Sequence, residues 1–211
     1  MDHASRPLLA PRTPIAIVRL DDLSEAVGLA RALLEGGLSV LEFTLTNRRA
    51  LAAIEQVRNE LEESVCVGAG TVLDAESARA AIFSGAQFLV TPTLQPDVIA
   101  CGRRYNVPVM CGALTPSEIL TAWQAGAEYV KVFPARSLGP AYIRDVLAPL
   151  PGIRLIPTGG VNLQNCKSYL DAGAYAVAVG SNLVDPASVT ARDWGALSDT
   201  ARQYVAACAA Q

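Results

Sequence analysis

The stretch Ala127-Glu128-Tyr129-Val130-Lys131-Val132-Phe133-Pro134-Ala135 defines one strand of the fold and contains a lysine in an apolar setting. Its β-branched and aromatic residues predict a short buried strand that ends at the proline. Directly before it, Gly126 is the residue type that ends helices in a left-handed turn, so a helix is expected to lead straight into the strand. The stretch therefore predicts one helix-to-strand junction of a parallel β/α fold.

The same junction recurs along the chain. Four predicted helices end in a glycine followed by an apolar strand, at Gly36-Gly37-Leu38, Gly85-Ala86-Gln87, Gly126-Ala127-Glu128 and Gly173-Ala174-Tyr175. Besides the strand around Lys131, we predict strands at 15–20, 39–45, 65–72, 88–92, 107–112, 154–158 and 176–180. Among the helices, we expect 48–62, 163–172 and one last helix that closes the chain.

Eight strand–helix pairs without a second zone of composition predict a single-domain α/β fold, the closed (β/α)8 TIM barrel. A doubly wound open sheet is the alternative architecture. We expect residues 1–13 to form a flexible N-terminal tail and residues 14–211 to form the barrel domain.

Composition narrows the class of protein. Of the 211 residues, 51% are hydrophobic and only 18% are charged, which fits a sheet buried on both faces by helices. The net charge of −3 disfavours a nucleic-acid or anionic-membrane surface. The sequence has neither an apolar run near the ~18 residues of a membrane span nor the apolar region of a signal peptide. We therefore expect a cytoplasmic protein that acts on small molecules.

Cysteine and histidine usage points away from several kinds of site. The five cysteines are scattered without a CxxC spacing and indicate reduced core residues. The single histidine is His3, which disfavours Ser-His-Asp catalysis and removes the usual ligands of a zinc enzyme. Gly68-Ala69-Gly70-Thr71 lacks the third glycine and the acidic residue of a dinucleotide site. We expect neither a metal nor a cofactor.

Lys131 is the first candidate catalytic residue. The chain has two lysines, Lys131 and Lys167, against fifteen arginines, yet Lys131 lies between two valines of an apolar strand. Burial disfavours a charged amine, and a neutral amine in an apolar site attacks carbonyl groups to form a Schiff base. The alternative is that its flexible stem carries the ammonium to solvent or to a carboxylate at the end of the strand.

Glu42 is the second candidate. It is the one carboxylate within an apolar strand, and a buried carboxyl group is suited to moving protons near neutral pH. Because the working residues of such barrels lie where strands end, Arg19, Thr71, Pro92 and Lys131 are predicted at the same opening. The alternative is a structural ion pair of Glu42 with Lys131 or Arg19.

Two glycine turns predict an anion site. Pro157-Thr158-Gly159-Gly160-Val161 follows the seventh strand, and Val179-Gly180-Ser181 follows the eighth. Backbone N–H groups in such turns bind phosphate, and barrels often place a phosphate site after strands seven and eight. The alternative is a pair of ordinary left-handed turns.

With these residues in place, the chain from about Ile15 to Leu183 resembles the class I 2-keto-3-deoxy-6-phosphogluconate (KDPG) and 4-hydroxy-2-oxoglutarate (KHG) aldolases. The motifs that carry the resemblance are Leu41-Glu42-Phe43-Thr44-Leu45, Val67-Gly68-Ala69-Gly70-Thr71-Val72, Val130-Lys131-Val132-Phe133-Pro134-Ala135, Pro157-Thr158-Gly159-Gly160-Val161 and Val179-Gly180-Ser181. Five motifs in the same order make a specific match.

The resemblance implies roles for these residues. Lys131 would form the Schiff base with the pyruvate moiety, and Glu42 would be the general acid and base. Thr71 and the Pro92 backbone would help to hold the keto acid, and Phe133 would wall the pocket. The residues implied to bind the substrate phosphate are Thr158, Gly159, Gly160, Gly180 and Ser181. The resemblance also implies a homotrimer.

Two positions depart from the family pattern. Many relatives have an arginine four residues after the glutamate, where this chain has Thr46, and Arg19 is then a candidate for the missing cation. Cys111 stands where many relatives have proline. We expect both departures to lie in substrate-facing regions and to affect the choice of hydroxy-keto acid.

The resemblance therefore implies a metal-independent lyase that cleaves KDPG to pyruvate and glyceraldehyde 3-phosphate. The alternatives are the galactonate epimer or KHG as substrate, and a phosphosugar isomerase or epimerase in which Lys131 acts only electrostatically. A non-catalytic sugar-phosphate-binding barrel is a further alternative, for which loss of Glu42 or Lys131 would be expected.

Overall fold

The computed structural model describes residues 8–210, and within them eight strands alternate with helices. The strands are β1 Pro14–Val18, β2 Val40–Thr44, β3 Cys66–Gly70, β4 Phe88–Val90, β5 Val109–Ala113, β6 Tyr129–Val132, β7 Leu155–Pro157 and β8 Val177–Val179. The helices are α1 Ala26–Glu35, α2 Ala50–Leu61, α3 Ala75–Phe83, α4 Pro96–Tyr105, α5 Pro116–Ala125, α6 Gly139–Leu147, α7 Cys166–Asp171, α8 Pro186–Thr190 and α9 Trp194–Ala209.

The strands form one parallel sheet that curls back on itself. Each strand pairs with its sequence neighbours from β1 to β7, and β1 also pairs with β8. A parallel bridge between Thr158 and Ala178 joins the β7 and β8 edges, and the Tyr175 N–H donates to the Leu155 carbonyl at 2.9 Å. The predicted α/β TIM barrel is therefore confirmed, and the open sheet is excluded because its two edges meet.

The core has two layers separated by the barrel wall. On β2, Val40 and Glu42 point into the barrel, whereas Leu41 and Phe43 face the helices. The apolar side chains packed inside the barrel are Leu9, Ile15, Ile17, Val40, Phe88, Val90, Met110, Tyr129, Ile156, Ala176 and Ala178. The alternation of side chains along each strand thus decides which residues can reach the barrel opening.

The four predicted glycine junctions share one geometry. Gly37, Gly85, Gly126 and Gly173 have φ of 84°, 94°, 99° and 104°, a region in which side chains are strained. In each case the next residue donates to a carbonyl in the last turn of the helix, as Ala127 does to Ala122 at 3.1 Å. This cap turns each helix directly into the next strand.

Helix starts are less regular than predicted. A capping box of Thr115 and Glu118 begins α5, and the Asp74 side chain caps α3. Helix α2 begins at Ala50, two residues later than predicted, because the Asn47 side chain accepts from the Arg49 N–H in a preceding turn.

Two other predicted helices were wrong in extent. Helix α7 begins at Cys166 because Asn162 Oδ1 accepts from the N–H groups of Gln164 and Asn165 and holds a turn there. The single last helix is divided into α8 and α9, each with its own aspartate cap. None of the described helices is both long enough and apolar enough to cross a membrane.

The N-terminal segment is packed where it is described. Residues 1–7 of the predicted tail, including His3, lie outside the described residues. Leu9 is buried inside the barrel, with its N–H bonded to the Tyr129 hydroxyl at 3.0 Å and its carbonyl to the Tyr175 hydroxyl at 2.7 Å. Within the described residues, packing against the barrel begins at Leu9, and the flexible tail over residues 1–13 stays a prediction.

Candidate active site

Lys131 and Glu42 meet inside the barrel, towards the carboxyl ends of β6 and β2. The two side chains approach each other from opposite parts of the wall, with Lys131 Nζ 4.0 Å from Glu42 Oε1. Lys131 is 6% exposed and Glu42 is 1% exposed, so both groups lie out of bulk water. At this separation Glu42 can exchange protons with a group on the carbon that bonds to Lys131 Nζ.

Inward-facing glycines make the space for this pair. A Cβ on Gly70 would lie 1.8 Å from Glu42 Oε1, so any side chain at position 70 would displace the carboxylate. A Cβ on Gly112 would lie 2.3 Å from the Pro92 carbonyl carbon, so Gly112 allows the loop after β4 to close over the strand. The glycines of β3 and β5 thus shape the site, a role that sequence reasoning missed.

Lys131 and Glu42 have few hydrogen-bond partners among the described residues. Glu42 Oε1 has no hydrogen-bond partner among the described residues, and within residues 8–210 Lys131 Nζ donates no hydrogen bond. The Phe133 ring lies beside the amine, with 5.3 Å from Nζ to the ring centroid. A buried carboxylate oxygen without a donor is costly in a purely structural role. This geometry favours a site that receives its missing partners from a substrate.

The structural alternatives for Glu42 are weak. The contact with Lys131 is at the outer limit of an ion pair and lacks a hydrogen bond. Arg19 follows β1 as an exposed residue and forms no ion pair within residues 8–210. The predicted Glu42–Arg19 pair is therefore not formed, although Arg19 lies at the same end of the barrel.

Thr71 and Pro92 follow β3 and β4 at this opening. Thr71 has φ of 57°, which is an unfavourable conformation for a β-branched residue. Strained residues of this kind cluster at functional sites. The Pro92 turn is held by the buried Thr91, whose hydroxyl donates to the Thr93 carbonyl at 2.6 Å and accepts from the Gly112 N–H at 2.9 Å. Thr91 lies at the end of the predicted strand 88–92, but its contact with Gly112 was not predicted.

Cys111 does not face the substrate region as expected. Strand alternation directs Met110 and Gly112 into the barrel, so Cys111 points to the helix layer, where it is fully buried. Burial raises the pKa of its thiol above the usual range. Its sulfur lies 3.6 Å from the Thr91 hydroxyl, so its influence on the site passes through the Pro92 turn. Thr46 is exposed and lies 2.9 Å, hydroxyl to hydroxyl, from Thr44.

The two glycine turns form a second part of the opening. Gly159 and Gly160 both have left-handed backbone, with φ of 87° and 89°. Within residues 8–210, the N–H groups of Gly159, Gly160 and Ser181 donate to no protein acceptor. Free N–H groups in adjacent turns after β7 and β8 are suited to an anion.

Thr158 differs from the other residues of the predicted phosphate set. It is 3% exposed, and its hydroxyl bonds to the Ile156 carbonyl at 3.3 Å in the seam where the barrel closes. Gly180 and Ser181, in contrast, are accessible to solvent. Within the described part of the chain, no group of three or more His, Cys, Asp or Glu side chains is arranged as a metal site.

Comparisons with known proteins agree with this geometry. A curated 2-dehydro-3-deoxy-phosphogluconate aldolase from Treponema pallidum is 37% identical over 190 residues, which is 90% of each chain. A solved native KDPGal structure has a TM-score of 0.85 and 31% identity over 92% of this chain and 93% of the other.

A Legionella pneumophila KDPG aldolase, solved with pyruvate captured as a covalent carbinolamine, has a TM-score of 0.82 and 27% identity. The alignment covers 92% of this chain and 93% of that one. The sequence model of the KDPG and KHG aldolases matches residues 9–200. The chain therefore belongs to the KDPG and KHG aldolase family.

Proposed function

We propose that this protein is a class I aldolase that cleaves KDPG to pyruvate and glyceraldehyde 3-phosphate. The observation that carries the proposal is the buried amine of Lys131. It lies 4.0 Å from a carboxylate oxygen of Glu42 that has no hydrogen-bond partner among residues 8–210. The covalent pyruvate adduct in the Legionella pneumophila relative supports the same chemistry.

The first half of the reaction forms an imine. The neutral Lys131 amine attacks the C2 carbonyl of the keto acid, and the resulting carbinolamine loses water to give a protonated imine. Glu42 gives a proton to the departing hydroxyl, so that its carboxylate is regenerated as a base. The buried position of the amine limits the water that would compete for the intermediate.

The second half breaks the carbon–carbon bond. Glu42 takes the proton of the C4 hydroxyl, the C4 carbonyl forms, and the electrons of the C3–C4 bond move to the imine nitrogen. Glyceraldehyde 3-phosphate leaves, and protonation of C3 gives the imine of pyruvate. Water then hydrolyses this imine, which releases pyruvate and restores the free Lys131 amine.

The surrounding residues bind the substrate and orient its keto group towards Lys131. Thr71 and the Pro92 backbone bind the keto-acid end, Phe133 walls the pocket beside the amine, and Arg19 supplies a cation for the carboxylate. The turns at Gly159-Gly160 and Gly180-Ser181 bind the phosphate. The support for the last assignment is the set of free N–H groups in those turns.

Related substrates are the second candidate. The family description includes KHG, and the native KDPGal structure aligns over nearly the whole chain, which favours side activity on KHG or on the galactonate epimer. An isomerase role for the same barrel is disfavoured, because no observation assigns a purely electrostatic task to an amine this deeply buried.

We further propose a homotrimer in the cytoplasm. Phe83 and Leu73 are 70% and 52% exposed, and covering large apolar side chains favours association. Light scattering after gel filtration tests the trimer: the proposal expects three times the 22.1 kDa chain mass, and a single-chain mass would contradict it.

Pyruvate release measured with KDPG, its galactonate epimer and KHG tests the activity. The proposal expects KDPG to be cleaved with the highest kcat/KM, and the Lys131→Met variant to release none while Lys167→Met remains active. Ser181→Asp is expected to raise KM for the phosphorylated substrates far more than for KHG, since a second anion repels the phosphate. Equal effects on both substrate types would contradict the phosphate assignment.

A further inference from the structure

Arg136 lies beside the glycine turn that follows β7. It belongs to the short 3-10 turn Ala135–Ser137, directly after β6 and Pro134. A Cβ on Gly160 would lie 2.7 Å from Arg136 Cβ and 2.8 Å from its Nε. The arginine side chain therefore runs along Gly160, on the side of that residue where any other amino acid would place its side chain.

The charge of Arg136 has no protein partner in the described part of the chain. Within residues 8–210, its guanidinium takes part in no ion pair and donates no hydrogen bond, and the residue is exposed. Other arginines on the molecule do have acidic partners: Arg154 pairs with Glu128, and Arg192 pairs with Glu25. A planar group with five donors and no internal partner is ready to bind an oxyanion.

The neighbouring turns supply only neutral donors. The free N–H groups of Gly159, Gly160 and Ser181 carry partial charges, whereas a phosphate monoester brings nearly two negative charges. Lys131 lies deeper in the barrel, beside Glu42, and its amine is committed to the keto group. A cation at the glycine turns would add charge attraction to these neutral donors, and Arg136 is in contact with one of the turns.

We propose that Arg136 is a specificity-determining residue that binds the phosphate of the substrate. The guanidinium contacts the phosphate oxygens from the outer side of the Gly159-Gly160 turn, while the backbone N–H groups contact them from within. The inference rests on the proposed function for its substrate, but the affinity for inorganic phosphate tests it independently of any aldol chemistry.

The test compares Arg136→Gln with Arg144→Gln, a matched exposed arginine of α6 that forms no ion pair within residues 8–210. Arg136→Gln should weaken inorganic phosphate binding in calorimetry and raise KM for KDPG, each by about tenfold, whereas Arg144→Gln should change neither. Arg136→Lys should restore part of the affinity, because it keeps the charge. Borohydride trapping of pyruvate should proceed equally in all of these variants.

Three outcomes would overturn the assignment. One is a phosphate affinity of Arg136→Gln equal to that of Arg144→Gln, and another is an Arg136→Lys variant no better than Arg136→Gln. The third is slowed pyruvate trapping in Arg136→Gln, which would indicate damage to the Lys131 site. If the unmodified protein traps no pyruvate, the proposed aldolase function fails, and the phosphate titration still decides the role of Arg136.

Discussion

The two ends of the barrel interior are built in opposite ways. At the amino-terminal end, Leu9 fills the barrel, and both of its backbone groups are hydrogen-bonded to the hydroxyls of Tyr129 and Tyr175. The two rings lie 5.6 Å apart, and Arg154, paired with Glu128, lies over both of them. Burial raises the pKa of Tyr129 to about 12, so its hydroxyl remains protonated through the neutral range.

The carboxyl-terminal end is less completely hydrogen-bonded and less tightly filled by side chains. Glu42 Oε1 has no partner among the described residues, Thr71 has a left-handed backbone, and inward-facing glycines replace large side chains. Within residues 8–210, N–H groups of the two glycine turns are also left without acceptors. The closed end therefore provides stability, whereas the open end keeps polar groups unsatisfied until a ligand binds them.

The largest expected effect is on activity, from Glu42→Gln. The amide is close in size but cannot take a proton, so kcat should fall by about 10²–10⁴-fold while the folded state is retained. Some pyruvate should still be trapped on Lys131, because the amine is intact. Steady-state cleavage of KDPG measures the change, and an undiminished kcat would remove Glu42 from proton transfer.

A change at the closed end should affect stability instead. Leu9→Ala removes a buried side chain from the barrel interior and should lower the free energy of unfolding by about 2–4 kcal/mol. Leu8→Ala is the matched control, since Leu8 is 38% exposed, and it should change that free energy by less than about 0.5 kcal/mol. Urea unfolding followed by circular dichroism provides both values.

The Leu9→Ala enzyme should keep its kcat at temperatures where it is folded. A loss of kcat similar to that of Glu42→Gln would mean that the two ends are not separable. An unfolding free energy equal to that of Leu8→Ala would show that the N-terminal segment does not stabilise the barrel.

Gly70→Ala probes how the open end is shaped. The added methyl group would lie 1.8 Å from Glu42 Oε1 and must push the carboxylate away from Lys131. We expect kcat to fall by about 10–100-fold, since misplacement of a reacting group by about 1 Å has effects of this size. Gly195→Ala, in α9, is the control. Its added methyl carbon would lie 3.8 Å from Asp193 Oδ1, which is an ordinary contact, so kcat should be unchanged.

Steady-state kinetics of the purified variants, with their folding checked by circular dichroism, show whether Gly70→Ala lowers kcat and Gly195→Ala does not. Wild-type turnover in Gly70→Ala would contradict the proposed tight fit between the β3 glycine and the catalytic carboxylate.

The smallest expected effect concerns the capping box of α5. Backbone N–H groups of Thr115 and Leu114 and the Thr115 hydroxyl hold the pKa of Glu118 below its usual range. Because the pKa of Glu118 is lower in the folded than in the unfolded protein, its ionised carboxylate stabilises the folded state at pH values above the unfolded pKa, near 4.3. This stabilisation is lost as the pH falls through the pKa of the folded state. Glu118→Ala should therefore lower stability by about 1 kcal/mol at pH 7 and by less in acid.

Glu55→Ala is the control, because Glu55 is an exposed glutamate within α2 that forms no ion pair in the described residues. Thermal unfolding of both variants between pH 3 and pH 7 provides the comparison. A Glu118→Ala penalty that stays constant over this range would rule out the carboxylate as its source.

The architecture was predictable because its information is local. Glycine caps such as Gly126 and the apolar strands between them specify each junction without reference to distant residues. Helix starts were less predictable, because an Asx turn such as that of Asn162 competes with helical hydrogen bonds over a few residues. The packing of Leu9 depends on Tyr129 and Tyr175, far along the chain, and no local pattern indicated it.

The site was predictable in its residue types but not in its spatial detail. Strand position and apolar neighbours identified Lys131 and Glu42, because buried charges are conspicuous in sequence. The role of Gly70 depends on a contact with Glu42 across neighbouring strands, and that of Arg136 on a contact with Gly160. Such contacts follow from register and loop closure, which sequence periodicity does not specify.

Borohydride trapping with pyruvate, followed by peptide mass spectrometry, tests the central claim most directly. The chain offers its own control, because Lys167 is the only other lysine and pairs with Asp171 on the surface. The account predicts a reduced pyruvate adduct on Lys131 and none on Lys167. A folded protein that forms no adduct, or one that is modified equally at both lysines, would contradict a Schiff-base site at the open end of the barrel.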